Sequence, residues 1–144
     1  MLTFTKVSPT SKEWDLFIDL SVEYLIVNWP QVLEGDTPST FKNRYRQETY
    51  NRFQIGGRGL FLALVDDQPA GIINAFIEKD VLNIAEFYLI EEKRRQSYGG
   101  QMKAFTEDWG RREGASQLMV EVDKDFTSAN LFWSSFSDLD LDVL

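Results

Sequence analysis

The residues with the clearest chemical potential form a basic, glycine-containing segment over positions 91–100. This segment joins an apolar stretch, predicted as a strand, to a helical pattern that begins near Tyr98. A helix N-terminus leaves backbone N–H groups without partners, and glycine lets a phosphate approach the backbone closely. Lys93, Arg94 and Arg95 add positive charge in an acidic chain. These features predict a pyrophosphate-binding loop, although a basic surface turn before a glycine-rich helix would have the same composition.

Missing residue types exclude several other mechanisms. The chain has no cysteine and no histidine, which rules out a thiolate nucleophile, a Ser-His-Asp triad and a histidine-based zinc site. We expect no metal site, and a P-loop is disfavoured because no Gly-Lys-Ser/Thr follows the basic segment. The net charge of −8 disfavours nucleic acid and suits a cationic amine, although it also serves solubility. Without a membrane-spanning run or a secretory signal, we expect a cytoplasmic protein with no membrane partner.

Hydrophobic periodicity predicts the elements that position the basic segment. We expect one domain over residues 1–144, built as an α/β fold on a mixed central β-sheet flanked by helices. Ser11 is the expected N-cap of the first helix, which Pro30 ends. The predicted order is β-α-α-β-β-β-α-β-α-β, with strands over 2–7, 60–65, 70–77, 81–90, 117–122 and 138–144 and later helices over 40–54, 98–113 and 127–136.

Several stretches of the sequence resemble the GNAT superfamily of acetyl-CoA-dependent N-acetyltransferases. The coenzyme A loop of that family follows Arg/Gln-x-x-Gly-x-Gly/Ala, and it stands here as Arg94-Arg95-Gln96-Ser97-Tyr98-Gly99. Residues 85–90 are similar to the family's fourth strand, residues 112–122 to its helix-to-fifth-strand junction, and residues 129–133 to its Ala-x-x-Phe-Tyr helix. The resemblance covers about residues 60–136 and implies the GNAT fold with a shortened C-terminus.

The resemblance also implies a reaction, in which acetyl-CoA (coenzyme A) donates an acetyl group to a primary amine of a small molecule or a peptide N-terminus. A general base takes a proton from the ammonium, and a donor protonates the leaving thiolate. Backbone amides over residues 95–100 would hold the pyrophosphate, and main-chain groups of the preceding strand would orient the pantetheine. The cofactor-binding residues implied in this way are Leu89, Ile90, Arg94, Arg95, Gln96, Ser97, Tyr98, Gly99, Gly100 and Trp133.

Two further groups of residues are candidates for catalysis and for acceptor binding. Glu86 is the expected general base because it lies beside the thioester position that the resemblance implies, and Tyr88 shares its face of the strand. Tyr24 and Trp29 lie where the first helix ends, and with Glu23 they suit a cationic acceptor. The alternatives are a solvent-facing Glu86 and aromatic side chains that only pack in the core.

Three departures from the family pattern bear on activity. Ser97 takes the place of the first motif glycine, where a positive φ would cost a serine about 1 kcal/mol. Trp133 replaces the tyrosine that protonates the thiolate, and would close the pantetheine channel or pack in the core, while Phe126 replaces an asparagine. Only residues 138–144 remain for the final strands, so we expect a homodimer that completes the sheet, or a sheet one strand short. The alternative function is a catalytically weak or inactive acyl-CoA-binding, sensor or partner-binding domain.

Overall fold

The computed structural model describes residues 1–120 and 142–143, and these residues form a mixed sheet with helices on both faces. Within them, six strands lie in the order β1-β2-β3-β4-β5-β6. Neighbours from β1 to β4 are antiparallel, whereas β5 and β6 run parallel to the strands they pair with. The strands are β1 (Leu2–Lys6), β2 (Arg58–Val65), β3 (Gln68–Glu78), β4 (Val81–Leu89), β5 (Gln117–Val120) and β6 (Asp142–Val143), and the helices are α1 (Trp14–Asn28), α2 (Pro38–Ile55) and α3 (Tyr98–Arg112).

The described elements confirm the predicted fold class and the predicted element order up to β5. The expected helix over 127–136 lies outside the described residues, and β6 falls inside the expected strand over 138–144. The second helix begins earlier than predicted because the Thr37 hydroxyl accepts from Thr40 N–H at 3.2 Å. The prediction of Ser11 as the N-cap of α1 is wrong. The Ser11 hydroxyl bonds to the backbone of Ser8 within a turn, and the residue at the N-cap position of α1 is Glu13.

Alternating side chains give the sheet two apolar faces. Leu60 and Leu62 of β2 pack against α1 and α2 in one buried cluster. Phe61 and Ala63 point the other way, into a cluster that includes Met102 of α3. Because both faces of β2 and β3 are covered, these strands read as nearly continuous apolar runs in the sequence.

A β-bulge in β4 changes which side chains face each layer. Asn74 pairs with Glu86, whereas the next residue of β3 pairs with Ile84, so Ala85 is the extra residue. Ile84 before the bulge and Phe87 after it both pack in the α3 cluster. A regular strand would place Glu86 in that same apolar cluster, because successive even positions share a face. The bulge therefore turns Glu86 toward the α1 and α2 side of the sheet.

Candidate active site

The loop before α3 presents backbone donors to one place. Arg95 and Ser97 have positive φ angles of 62° and 67°, and such left-handed residues in a loop turn successive N–H groups inward to form an anion-binding concavity. Among the described residues, the N–H groups of residues 95–100 have no acceptor, and the first bond of α3 runs from Gln101 N to Ser97 O at 3.2 Å. Ser97 thus adopts the conformation for which a glycine is favoured, at a cost of about 1–2 kcal/mol.

The same loop has room for an anion and is attached firmly to the end of β4. A Cβ placed on Gly100 would meet no atom within 4 Å, so the first turn of α3 opens onto free space. Arg94 holds the loop to the end of β4, because its Nε donates to Leu89 O and its Nη1 to Glu91 Oε2, each at 2.8 Å. Glu91 also accepts from Arg95 at 3.4 Å. Free amides, open space and basic side chains together fit a pyrophosphate.

At the end of β4, successive backbone N–H groups point to opposite sides of the strand. Ile90 N–H donates to Ala70 O at 2.8 Å, so this group is used within the sheet. Because antiparallel hydrogen bonding alternates along a strand, Leu89 N–H points away from β3. The described β4–β5 pairing runs from Val81 to Ile84, and Leu89 lies beyond it. Of the two predicted pantetheine contacts, Leu89 offers the outward N–H.

Glu86 is held by polar groups from three other elements. Tyr45 of α2 donates a hydrogen bond to its carboxylate, and Asn74 lies opposite it on β3. Arg58 Nη1 in turn donates to Asn74 Oδ1 at 2.7 Å. Burial raises the pKa of the Glu86 carboxyl, against the opposing effects of the Tyr45 and Asn74 hydrogen bonds and of the charges on Arg52 and Arg58. Glu86 is thus a partly buried, hydrogen-bonded carboxylate rather than a solvent-facing one.

Aromatic side chains connect the region of Glu86 to the loop. The Tyr24 ring lies 5.0 Å from that of Tyr88 and 5.5 Å from that of Trp29, and the Arg94 guanidinium carbon lies 5.7 Å from the centre of the Tyr88 ring. Burial, together with the Glu86 charge, raises the pKa of Tyr24 to about 12, although Arg94 opposes the shift. Tyr24 therefore stays protonated at neutral pH. The structure brings together every predicted catalytic and acceptor residue, while Trp133 and Phe126 lie outside the described residues.

Three residues of this region were missed at the level of sequence. Tyr45 lies on the apolar face of α2, although its hydroxyl gives a reason to expect a polar partner. Asn74 is buried and lies between apolar neighbours in β3, a position that itself signals a hydrogen-bonding role. Arg58 had no sequence signal, because its partner lies sixteen positions away.

Membrane-spanning helices and metal-binding side-chain clusters are absent from the part of the chain that the structure describes. No helix found there is long and apolar enough to cross a membrane. Within the same residues, no three acidic side chains come together as a group that would hold a metal ion.

The mixed sheet, the carboxylate on the bulged strand and the amide-lined loop are compatible with the acyl-CoA-dependent acyltransferase that the sequence resemblance implies. The family model for the acetyltransferase (GNAT) family matches residues 27–136. The chain therefore belongs to the acetyltransferase (GNAT) family, for which acetyl-CoA is the acetyl donor. No curated protein sequence gives a significant match to this chain.

Solved structures of low sequence identity share the fold. The PaiA N-acetyltransferase from Thermoplasma acidophilum in complex with coenzyme A has a TM-score of 0.73 at 13% identity, covering 94% of this chain and 87% of that one. A putative acetyl transferase from Pyrococcus furiosus has a TM-score of 0.75 at 15% identity, covering 94% of this chain and 91% of that one. AAC(6')-Iy in complex with the bisubstrate analog CoA-S-monomethyl-acetylneamine has a TM-score of 0.70 at 14% identity, covering 99% of this chain and 91% of that one.

Proposed function

We propose that this chain transfers an acetyl group from acetyl-CoA to a primary amine of a small molecule or a peptide N-terminus, with Glu86 as the general base. The observation that carries the proposal is the environment of Glu86, a partly buried carboxylate with a raised pKa on the strand that leads to the amide-lined loop. The aromatic rings of Tyr24, Trp29 and Tyr88 beside it suit an ammonium group.

The chain's own groups account for binding of the acetyl donor. The amides of residues 95–100 would hold the pyrophosphate, and the outward N–H of Leu89 would orient the pantetheine arm. Acetyl-CoA supplies the activated acetyl group, so that the amine nitrogen gains the carbon–nitrogen bond as the thioester carbon–sulfur bond breaks. The cofactor contacts of Gln96, Tyr98 and Gly99 belong to the same proposal.

Glu86 removes the ammonium proton directly or through one water molecule. A raised pKa makes its carboxylate a stronger base, and the carboxylate must be ionised, so activity rises as pH increases through that pKa. A thiol has an ordinary pKa of about 8.5, so a thiolate leaves without a strong acid near that pH. The indole of Trp133, which has no usable proton, is for this reason compatible with turnover.

A second candidate is a single acyl-CoA-binding domain, monomeric or homodimeric, that acts as a sensor or partner protein. It is favoured by Trp133 at the position where the family pattern has tyrosine. Thermal shift with acetyl-CoA tests the binding that both candidates need, because a ligand that binds only the native state raises stability. Light scattering tests the homodimer, which a strict monomer would contradict.

The deciding experiment is thiol release over a panel of primary amines with the Glu86→Gln variant. We expect turnover to fall by about 100-fold or more at unchanged acetyl-CoA affinity, since general bases contribute about 10²–10⁴-fold. Glu48→Gln, which changes an exposed carboxylate on α2, is the matched control and should keep the wild-type rate. Equal rates for wild type and Glu86→Gln would remove Glu86 from the base role, and no turnover with any amine would favour the sensor.

A further inference from the structure

A cavity of about 400 Å³ lies at the end of the sheet opposite the amide-lined loop. It is formed where α2 ends, β2 begins and β3 ends, and we call it the arginine pocket. Its walls combine two guanidinium groups with apolar and aromatic surface, and one carboxylate lies among them. The lining includes Arg52, Ile55, Arg58, Phe76, Ile77 and Glu78.

The two arginines of the pocket differ from the other arginines of the chain. Each of the others forms an ion pair with an aspartate or a glutamate, and these are Arg44, Arg46, Arg94, Arg95, Arg111 and Arg112. Among the described residues, neither Arg52 nor Arg58 lies within ion-pair distance of a carboxylate, although Glu78 lines the same cavity and the charge of Glu86 acts on Arg58. Burial lowers the pKa of Arg58, and repulsion by the charge on Arg52 adds to this effect while the charge on Glu86 opposes it. An anion in the pocket would relieve this repulsion.

The Arg58 side chain is held in a position that suits carboxylate recognition. Its guanidinium carbon stacks 4.6 Å from the centre of the Phe76 ring, and its Nη1 donates to Asn74 Oδ1 at 2.7 Å. Its Nε is buried and has no acceptor within the described part of the chain. A planar guanidinium that Asn74 and Phe76 hold in one position can offer its remaining N–H donors to a carboxylate.

The arginine pocket is adjacent to the proposed base. Asn74, which accepts from Arg58, is the cross-strand partner of Glu86. Asn74 and Phe76 share a face of β3 and lie about 7 Å apart, since a strand rises about 3.4 Å per residue. A small molecule with its amine at Glu86 and its carboxylate at the guanidinium groups would follow this face of β3 from Asn74 toward Phe76.

We infer that the arginine pocket binds a carboxylate of the acceptor, so that the acceptor is an amino acid or a related amine that carries a carboxylate. The inference rests on the proposed function for the position of the amine. The carboxylate is not altered in the reaction, and the product is an N-acetylated amino acid. The pocket gives a local preference for this class that the overall acidic charge of the chain does not predict.

The test compares amine acceptors that differ only in the carboxylate. The panel consists of glycine, β-alanine and γ-aminobutyrate, each beside its uncharged primary amide, and kcat/KM is measured with wild type and with Arg52→Gln. We expect wild type to prefer at least one acid over its amide by 10-fold or more, and Arg52→Gln to lose most of that preference, because a hydrogen bond to a charged group contributes about 10- to 100-fold. Arg44→Gln removes an equal charge from the exposed part of α2 and should keep the preference.

A binding measurement separates failure of this inference from failure of the proposed function. Calorimetry with the N-acetylated acids and with their amides, without acetyl-CoA, should show binding that favours the acid in wild type and weakens in Arg52→Gln and in Arg58→Lys. Such binding without turnover would support the pocket and contradict acetyl transfer. Turnover with equal kcat/KM for acids and amides would support acetyl transfer and overturn the pocket. Equal binding of acids and amides by wild type would also overturn it.

Discussion

Replacing Gly100 by alanine separates the stability of α3 from the affinity of its N-terminus for a phosphate. Gly100 lies in the first turn of α3, and its added methyl group would meet no protein atom within 4 Å. Alanine is the better helix former by up to about 1 kcal/mol, and we expect about half of that in a first turn. Because helical Cβ atoms tilt toward the N-terminus, the methyl group would point toward the amides of residues 95–100. We therefore expect the variant to be more stable without ligand and to bind acetyl-CoA less tightly.

The size of both effects follows from the length of the chain. With an unfolding entropy of about 2.1 cal/mol/K per residue, 1 kcal/mol shifts Tm by about 3 °C in 144 residues. Gly100→Ala should thus raise the Tm of the free protein by about 1–2 °C. At a ligand concentration of 100 Kd, acetyl-CoA should stabilise wild type by about 2.7 kcal/mol, or about 9 °C. In Gly100→Ala, loss of one charge-assisted hydrogen bond between these amides and the pyrophosphate would weaken acetyl-CoA binding at least tenfold. The stabilisation by acetyl-CoA at the same concentration would then fall to about 1.4 kcal/mol, or about 4–5 °C.

Differential scanning fluorimetry over a range of acetyl-CoA concentrations measures both quantities. Ala104→Gly is the matched control, because Ala104 is exposed on the same helix and away from the loop. It should lower the Tm of the free protein by about 3 °C and leave the ligand-dependent increase at about 9 °C. A Gly100→Ala variant whose ligand-dependent increase equals that of wild type would refute the assignment of the pyrophosphate to this helix N-terminus.

Two further predictions concern Glu86. Tyr45→Phe removes a donor to the ionised carboxylate, so the acidic limb of the kcat/KM profile should move to higher pH, and urea titrations should show a stability loss of about 1–3 kcal/mol. Tyr50 is an exposed tyrosine on α2, and Tyr50→Phe should leave the pH profile unchanged. An acidic limb that stays in place in Tyr45→Phe would contradict the prediction. Because burial raises the native pKa of Glu86 above its ordinary 4.5, its contribution to stability is present below that value and is lost as pH rises through the native pKa. The free energy of unfolding of Glu86→Gln, relative to that of wild type, should therefore increase from pH 4 to pH 8. A difference between the two proteins that stays constant across this range would contradict the raised pKa.

Much of the framework was accessible from the sequence because it depends on local patterns. Alternating apolar positions, turn residues and the basic segment before Tyr98 led to the element order and to the amide-lined loop. Helix starts were less accessible, since Thr37 and Ser11 are both acceptable caps and only the tertiary context decides between a cap and a turn. The partners of Glu86 were not accessible, because Tyr45 reaches it over forty-one positions of sequence.

The position of the extra residue in β4 could not be predicted from the alternation of apolar residues either. Apolar side chains at Leu82 and Ile84 continue at Phe87 and Leu89, which is a change from even to odd positions. This change is visible once the register is known, but the alternation in the sequence allows the break anywhere between Ile84 and Phe87. Cross-strand pairing with Asn74 assigns it to Ala85.

The bulge at Ala85 lets β4 keep its apolar and its polar side chains on fixed faces although one residue is left unpaired. If the same residues formed a regular ladder, Phe87 and Leu89 would meet α2 while Glu86 and Tyr88 entered the α3 cluster. Deletion of Ala85 would instead leave Ile84 and Phe87 two positions apart, so both would keep facing α3 and Glu86 would keep facing α2. The bulge residue itself is therefore dispensable for the faces of β4, whereas insertion or deletion of one residue on either side of it would exchange the faces of the residues beyond.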